Sequence, residues 1–416
     1  MARTIYTLLL LLLLPWALLH LLWRALRQPD YLRHWGERFG FYEPRPAAPI
    51  IWLHAVSVGE TRAAQPLVTL LRQRYPDHRI LFTHMTPTGR QTSETLFGDT
   101  VERIYLPYDY PWAVRRFLQH YRPEIGIIME TEIWPNLVAA SDKAGIPMLL
   151  VNARLSERSA RRYACYPALT REALSYLNTI GAQSEADASR LVRLGAKNVT
   201  IAGNMKFDIV APATQLELGS ILRSRFGKRP VLLAASTRDG EESLILDALR
   251  GQPIPGLLLV IVPRHPQRFN EVAILVQTCG FKLQRRSEGN GVMPDTEILL
   301  GDSMGEMFAY YSSCDAAFIG GSLLDHGSQN LIEACAVGVP VLVGPSTYNF
   351  AEAASQAIAC GAAQQVGNAA ELIAAAAALL ADEDRRKSMG EAGSTFAKRH
   401  RGASERTLTM ITQAMR

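Results

Sequence analysis

Four short junctions in the second half of this chain combine glycine, hydroxyls and charged side chains in an order that suits phosphate and sugar. In residues 318–345 (FIGGSLLDHGSQNLIEACAVGVPVLVGP) an apolar run ends in Gly320, Gly321 and Ser322, and a helical pattern opens at Asn330, Leu331, Ile332 and Glu333. Glycine between a strand and a helix lets backbone approach a phosphate, and first-turn amides point at the anion. A carboxylate in that turn, Glu333, can accept hydrogen bonds from two sugar hydroxyls. Ser236-Thr237-Arg238-Asp239-Gly240-Glu241 is a second such junction, although helix capping explains its hydroxyls equally well. Pro263-Arg264-His265-Pro266 follows a very apolar run. Arg264 there suits forked recognition of phosphate or carboxylate, while His265 can assist a leaving phosphate or bond locally. Gly301-Asp302-Ser303-Met304-Gly305-Glu306 adds further amides and an acid. Each loop alone is a weak signal. Together they point to a nucleotide, and to nucleotide-sugar chemistry.

The first half supplies acids. His54-Ala55-Val56-Ser57-Val58-Gly59-Glu60 closes one apolar run and opens a helix, with Gly59 for a sharp turn and Glu60 displayed beyond it. Glycosyl transfer to a hydroxyl needs a base to take the proton, which Glu60 can be. It can equally complement the helix dipole, and spacing leaves both open. Glu130-Thr131-Glu132 follows the run EIGIIM, with Glu124 ahead of it. A carboxylate there can stabilise charge developing on a sugar ring, or serve as a cap. Lys206, in the turn GNMKFD, can neutralise phosphate or simply face solvent. No GxxxxGK[ST] and no early GxGxxG occurs, and no DxD or His-rich metal cluster stands out, so no metal and no cofactor are expected.

These residues need a frame. IIWLHA, RILFTHM, VERIYLPY, EIGIIME, PMLLVNA, NTIGAQS and NVTIAGN alternate with amphipathic stretches, and a second series runs from PVLLAAS to VPVLVGP. That alternation predicts α/β architecture: two Rossmann-like doubly wound domains facing one another across a cleft. The boundaries read as an anchor over residues 1–27, a first domain over 28–210, a linker over 211–224 and a second domain over 225–390. A C-terminal helix over 391–416 is expected to pack back on the first domain. A Pro-rich hinge covers residues 42–49. Five scattered cysteines argue against a disulfide framework. The net charge of +5 is mild, and no nucleic-acid motif accompanies it, so no nucleic-acid partner is expected.

From Ile5 to Trp23 the chain has no Asp, Glu, Lys or Arg. As one helix it would reach about 28 Å, near the thickness of a hydrocarbon core. Arg24, Arg27, Arg33 and Arg38 follow, which leaves the bulk of the chain cytoplasmic by the positive-inside rule. A cleaved signal peptide is disfavoured because no small-residue cleavage site follows. A membrane surface is therefore an expected partner.

The motifs GERFG, HAVSVGE, TPTGR, METEIWPN, NARLSERS, GNMKFD, AASTRDGE, VPRHPQRF, GDSMGEM, FIGGSLL and VGPSTYNF run in that order from Gly36 to Phe350. As a set they resemble the 3-deoxy-D-manno-octulosonic acid (Kdo) transferases of lipopolysaccharide assembly. The resemblance implies a GT-B-type fold, an N-terminal anchor in the inner membrane and catalytic domains on its cytoplasmic side. It implies CMP-Kdo as donor, lipid A precursor (lipid IVA) as acceptor, and inverting, metal-independent transfer. Glu60 matches the family's general base, and Glu130 and Lys206 match positions for transition-state stabilisation. Pro263 and Arg264, Met304, Gly305 and Glu306, and Asn330, Leu331, Ile332 and Glu333 match its CMP-contacting segments. Ser236, Thr237, His265, Gly321 and Ser322 complete the expected donor site, and Ser57 and Gly59 the acceptor side. One departure stands out: where many members read GGHNPLE, this chain has Gln329 for the His and Leu331 for the Pro. Gln can hydrogen-bond but carries no charge. Another membrane-associated GT-B enzyme using a UDP-sugar on a lipid-linked acceptor, a nucleotide-sugar-binding scaffold and an epimerase of similar fold are the alternatives.

Overall fold

The computed structural model describes residues 1–44, 48–289 and 291–416. Part of the expected hinge, residues 45–47, and the side chain of Arg27 lie outside the described residues. The chain divides into two compact units: Met1–Ile209 with His400–Arg416, and Val210–Arg399.

The first unit is built on seven strands: β1 (Ile50–His54), β2 (Arg79–His84), β3 (Glu102–Tyr105), β4 (Ile125–Met129), β5 (Met148–Ala153), β6 (Thr179–Ala182) and β7 (Val199–Ile201). They lie in the order β3-β2-β1-β4-β5-β6-β7, every pair parallel. Every residue of β1, β4 and β5 is buried, as strands covered by helices on both faces require. The chain builds outward from β1 to β3, then returns to place β4 against β1. That reversal makes a switch point, and the loops at the carboxyl ends of β1 and β4 flank it. The core packs tightly there. Trp52 is fully buried, meets Phe117 edge to face at 4.9 Å and donates its indole N–H to Thr83 Oγ1 at 2.9 Å. Gly126 on β4 makes room for it, since a Cβ there would come within 2.8 Å of the Trp52 ring.

The second unit repeats the plan with β8 (Val231–Thr237), β9 (Leu258–Pro263), β10 (Leu283–Arg285), β11 (Ile298–Leu300), β12 (Ala316–Ile319), β13 (Val341–Val343) and β14 (Ala363–Gln365). Their order is β10-β11-β9-β8-β12-β13-β14, again all parallel, so the switch point lies between β8 and β12.

Three expectations are corrected. The apolar N-terminus is not one continuous helix: Ala2–Leu12 and Leu14–Arg27 meet at a bend of 52°, and among the described residues no single helix is long and apolar enough to cross a membrane. Pro15, in the first turn of the second helix, has no N–H to continue the ladder. The first helix is tied to the first unit by Thr7 donating to Asn136 Oδ1 (3.0 Å), Tyr110 donating to Leu10 O (3.1 Å) and an Arg3–Glu172 pair (3.6 Å). Arg38, counted among the topogenic charges, is only 2 % exposed, lies over the Tyr105 ring at 3.9 Å and donates to Met85 O. It serves the fold of the GERFG segment. The stretch read as a linker over 211–224 is mostly the helix Ala213–Phe226, which buries Leu222 and Phe226 within the second unit. Gly219 lets it lie against the helix Met307–Ser313, where a Cβ would stand 2.9 Å from Ala309 O.

The tail is also divided. Glu383–Arg399 belongs to the second unit, and Ala403–Ala414 to the first, where it packs on Gln65–Arg74. The Asp208 carboxylate accepts the amides of Gly402 and Ser404, both at 2.6 Å, and clamps that return.

Candidate active site

At the switch point of the first unit, Ser57 caps the helix Val58–Ala63 by accepting the Glu60 amide at 3.3 Å. The Glu60 side chain turns back over the cap. Its Oε2 accepts the Val56 amide (2.8 Å) and its Oε1 accepts the Ser57 hydroxyl (2.8 Å), a relative of the reciprocal capping box. Glu60 is 7 % exposed. Burial pushes its carboxyl up to about 7, the Glu130 and Glu132 carboxylates push the same way, and the two hydrogen bonds oppose them. Gly59 sits in the first helical turn without a positive φ. The sharp turn expected of it is therefore made by Ser57, the extended capping residue.

Glu130, at the end of β4, adopts a left-handed backbone (φ 56°), a conformation that costs a non-glycine residue about 1 kcal/mol or more and is concentrated at functional sites. Lys206 Nζ approaches Glu130 Oε1 at 3.8 Å. Lys206 is set by its neighbours: Asn204 Oδ1 accepts its amide (3.0 Å), and the buried Asn152 accepts the Met205 amide (3.0 Å) from the end of β5. Glu132, named with Glu130 in the sequence but given no role of its own, has its carboxyl pushed up by burial and by Glu130. Glu124 does not join this group. It precedes β4 and pairs with His78 at 3.0 Å. Thus Glu60, Glu130 and Lys206, predicted separately, converge with Glu132 at one switch point. His54 is fully buried beside Thr83 Oγ1 (2.8 Å), and burial lowers its pKa to about 4, so it is a neutral core residue.

In the second unit the glycine-rich loop after β12 folds under β8. Gly320 must be glycine, since a Cβ would fall 2.5 Å from Ser236 O. Glu241, fully buried, gathers three amides: Arg238 (2.8 Å) and Gly321 (2.6 Å) on Oε2, and Leu323 (3.0 Å) on Oε1. Nearby amides are also engaged within the protein. Gly327 donates to Ser346 Oγ, Ser328 to Gly321 O, Gln329 to Gly320 O, and Ile332 to Asn330 Oδ1. The expected cradle of backbone donors is therefore largely occupied. Two expected donor-site hydroxyls face inward. Thr237, fully buried, donates to Glu242 Oε1 at 2.6 Å; Ser322, fully buried, accepts the Gly344 amide at 2.8 Å. Leu331 and Ile332 are buried too, so only their backbone can reach a ligand.

Charged side chains remain at the carboxyl ends. Ser236, with φ 57°, precedes Arg238, and Arg264 follows β9. Glu306 accepts from Ser303 Oγ (2.5 Å) and Arg286 (3.2 Å), beside the exposed Met304 and the left-handed Gly305. Asn330 Nδ2 donates to Glu333 Oε1 at 3.1 Å, which orients a carboxylate suited to sugar hydroxyls. Among the described residues no group of three His, Cys, Asp or Glu side chains is placed to hold a metal ion. Sequence reasoning missed Glu241 as an organiser. Two of its three partners are 80 and 82 residues away, and only its place directly after Gly240 hinted at a special position.

Two Rossmann-like units of this kind, an acid cluster at one switch point and cations at the other, define a glycosyltransferase of GT-B-like architecture. The chain is 45 % identical to the 3-deoxy-D-manno-octulosonic acid transferase of Bordetella pertussis over 90 % of its own length and 89 % of that protein's. It is 39 % identical to that of Haemophilus influenzae over 99 % and 98 % of the two chains. The chain belongs to the 3-deoxy-D-manno-octulosonic acid transferase family. Residues 33–209 match the 3-deoxy-D-manno-octulosonic-acid transferase (kdotransferase) family, and residues 265–396 match glycosyl transferases group 1. Among solved structures it is similar to a glycosyltransferase from Rickettsia africae (TM-score 0.60, 14 % identity, 89 % of this chain and 100 % of that one). It is similar also to UDP-GlcNAc 2-epimerase from Neisseria meningitidis bound to UDP-GlcNAc (TM-score 0.59, 15 % identity, 88 % and 100 %). At such identities the likeness speaks for the fold alone.

Proposed function

We propose that the protein transfers Kdo from CMP-Kdo to the lipid A precursor lipid IVA, by metal-independent inverting transfer in lipopolysaccharide core assembly. The observation that carries this reading is the buried carboxyl of Glu60, raised to about 7 at the first switch point of a chain of this family. A base of that strength is half ionised near neutrality and suits proton transfer from a hydroxyl. Glu60 takes the proton as the acceptor oxygen bonds to the anomeric carbon, and CMP departs with the electron pair of the breaking C–O bond. Attack opposite the leaving group inverts the centre. Glu130, steadied by Lys206, stabilises positive charge on the ring. Pro263, Arg264, Met304–Glu306 and Asn330–Glu333 hold CMP, with Glu333 toward the ribose hydroxyls. Thr237 and Ser322 contribute by shaping the loops.

The bent N-terminal pair seats the protein at the cytoplasmic face of the inner membrane. Leu8, Leu9, Leu12, Trp16, Leu19 and Trp23 are all exposed, an apolar surface that a bilayer would cover. Arg24 and Arg33 would add about 1 kcal/mol each against anionic headgroups. Incubation of the purified chain with CMP-Kdo and lipid IVA should give a product heavier by one or more Kdo residues by mass spectrometry. Product formed only from a UDP-sugar, or a UDP-sugar altered without acceptor, would replace this reading.

A further inference from the structure

With the amides of the glycine loop largely occupied, side chains must carry much of the anion binding at the second switch point. The helix Glu241–Gly251 opens there, but its own first-turn acids Glu241 and Glu242 already answer its dipole. Most nearby arginines are also answered. Arg268 is paired with Glu242 (2.8 Å), Glu271 (3.1 Å) and Asp239 (3.5 Å), Arg285 with Asp302 (2.7 Å), and Arg286 with Glu306 (3.2 Å).

Arg238 differs. Among the described residues no carboxylate stands within ion-pair distance of it. Its stem lies over Gly321, where a Cβ would come within 3.3 Å of Arg238 Cγ, and its Nη1 is 3.2 Å from His265 Nε2. A guanidinium has no lone pair to offer, so Nε2 is the acceptor and His265 carries its proton on Nδ1. The ring thus positions the guanidinium without cancelling its charge. Burial, and after it the charges of Arg238, Arg264 and Arg268, hold the His265 pKa below its ordinary value, which favours the neutral ring.

We propose that Arg238 is an oxyanion ligand of the donor site, held toward the ligand by neutral His265. This rests on the donor reading above, in which the donor offers two oxyanions, a phosphodiester and a carboxylate on the sugar's anomeric carbon. Arg264, whose amide donates to Thr237 O (2.9 Å), shares the field at His265 with Arg238, and one forked cation for each anion would select activated sugar acids over neutral sugars.

The test uses the full chain with Arg238→Gln and Arg238→Lys, measuring KM for CMP-Kdo, affinity for CMP by calorimetry, and melting temperature. Loss of a charge-assisted contact predicts a donor KM raised about 10- to 100-fold in Arg238→Gln, partly recovered in Arg238→Lys, with acceptor KM and melting unchanged. If CMP affinity falls in step, the anion is the phosphate. If CMP affinity holds while donor KM rises, it is the carboxylate. A donor KM within twofold of wild type in both variants overturns the proposal, as does a rise in donor KM that follows a fall in melting temperature. Failure of the wild type to turn over CMP-Kdo would instead sink the functional reading, and the CMP arm would still report on Arg238.

Discussion

Replacing Glu60 by Gln should make the protein inactive and, above neutral pH, more stable. The Glu60 carboxyl is held at about 7 against an ordinary 4.5, mainly because burial penalises the charged form. Below pH 4.5 the group is protonated in folded and unfolded chains alike. Between 4.5 and 7 the unfolded chain ionises while the folded one keeps its proton, so the folded state loses ground as pH rises. The loss is complete above about 7 and amounts to about 3 kcal/mol as an upper figure. Glutamine does not titrate. Its oxygen can still accept the Val56 amide, and its nitrogen can donate to Ser57 Oγ, so little of the local bonding is lost. Arg24, Arg33 and other exposed groups are common to both proteins and cancel in the comparison. The variant should therefore melt only slightly above the wild type near pH 5, where about 1 kcal/mol of the loss has developed, and several degrees above it at pH 8, at roughly 2–4 °C per kcal/mol. Transfer should fall by about 10²- to 10⁴-fold, the usual contribution of a general base, with CMP affinity kept. Scanning calorimetry at pH 5 and pH 8, with single-turnover transfer, gives both readings. A melting difference that is the same at both pH values, or turnover near that of the wild type, would refute the reasoning.

Two other outcomes are expected. Glu241→Ala strands the amides of Arg238, Gly321 and Leu323 in the interior, so the second unit should lose about 3 kcal/mol or more in denaturant unfolding, and CMP affinity should fall with it. Replacing Leu8, Leu12 and Trp16 together by Ser should abolish co-flotation with anionic phospholipid vesicles while leaving CMP affinity intact; undiminished flotation would remove the N-terminal pair from membrane binding.

The sheets could be read in the sequence because their strands are short apolar runs that glycine, proline and acids punctuate. β1 and β4 are plain in IIWLH and IGIIM, whereas the cap that Ser57 forms with Glu60 went unread in the sequence. The acids at the first switch point were legible for the same reason: Glu130 follows directly on β4, and Glu60 opens the helix that follows β1. What stayed hidden depends on partners distant in sequence. A Thr or Ser at a strand end reads the same whether it faces a ligand or, like Thr237 and Ser322, the interior. The amides of the glycine loop looked available because the carboxylate that occupies them arrives from another junction. Ala213–Phe226 was read as a linker because its Ala-Pro start and scattered polar residues blur the helical period, and its packing against Met307–Ser313 supplies what propensity does not. The bend was legible in Pro15, which can kink a helix, although a count of apolar length alone does not show it.

The crossing of the chain into the second unit at residues 209 and 210, and its return at 399 and 400, has a consequence for biosynthesis. As the polypeptide emerges from the ribosome, the acid-bearing unit is the first to be made but the last to be finished. Its Asp208 clamp waits for Gly402 and Ser404 while the whole second unit is translated and folds. Loss of residues 400–416 would thus weaken the unit that carries Glu60, far from Glu60 itself in the gene.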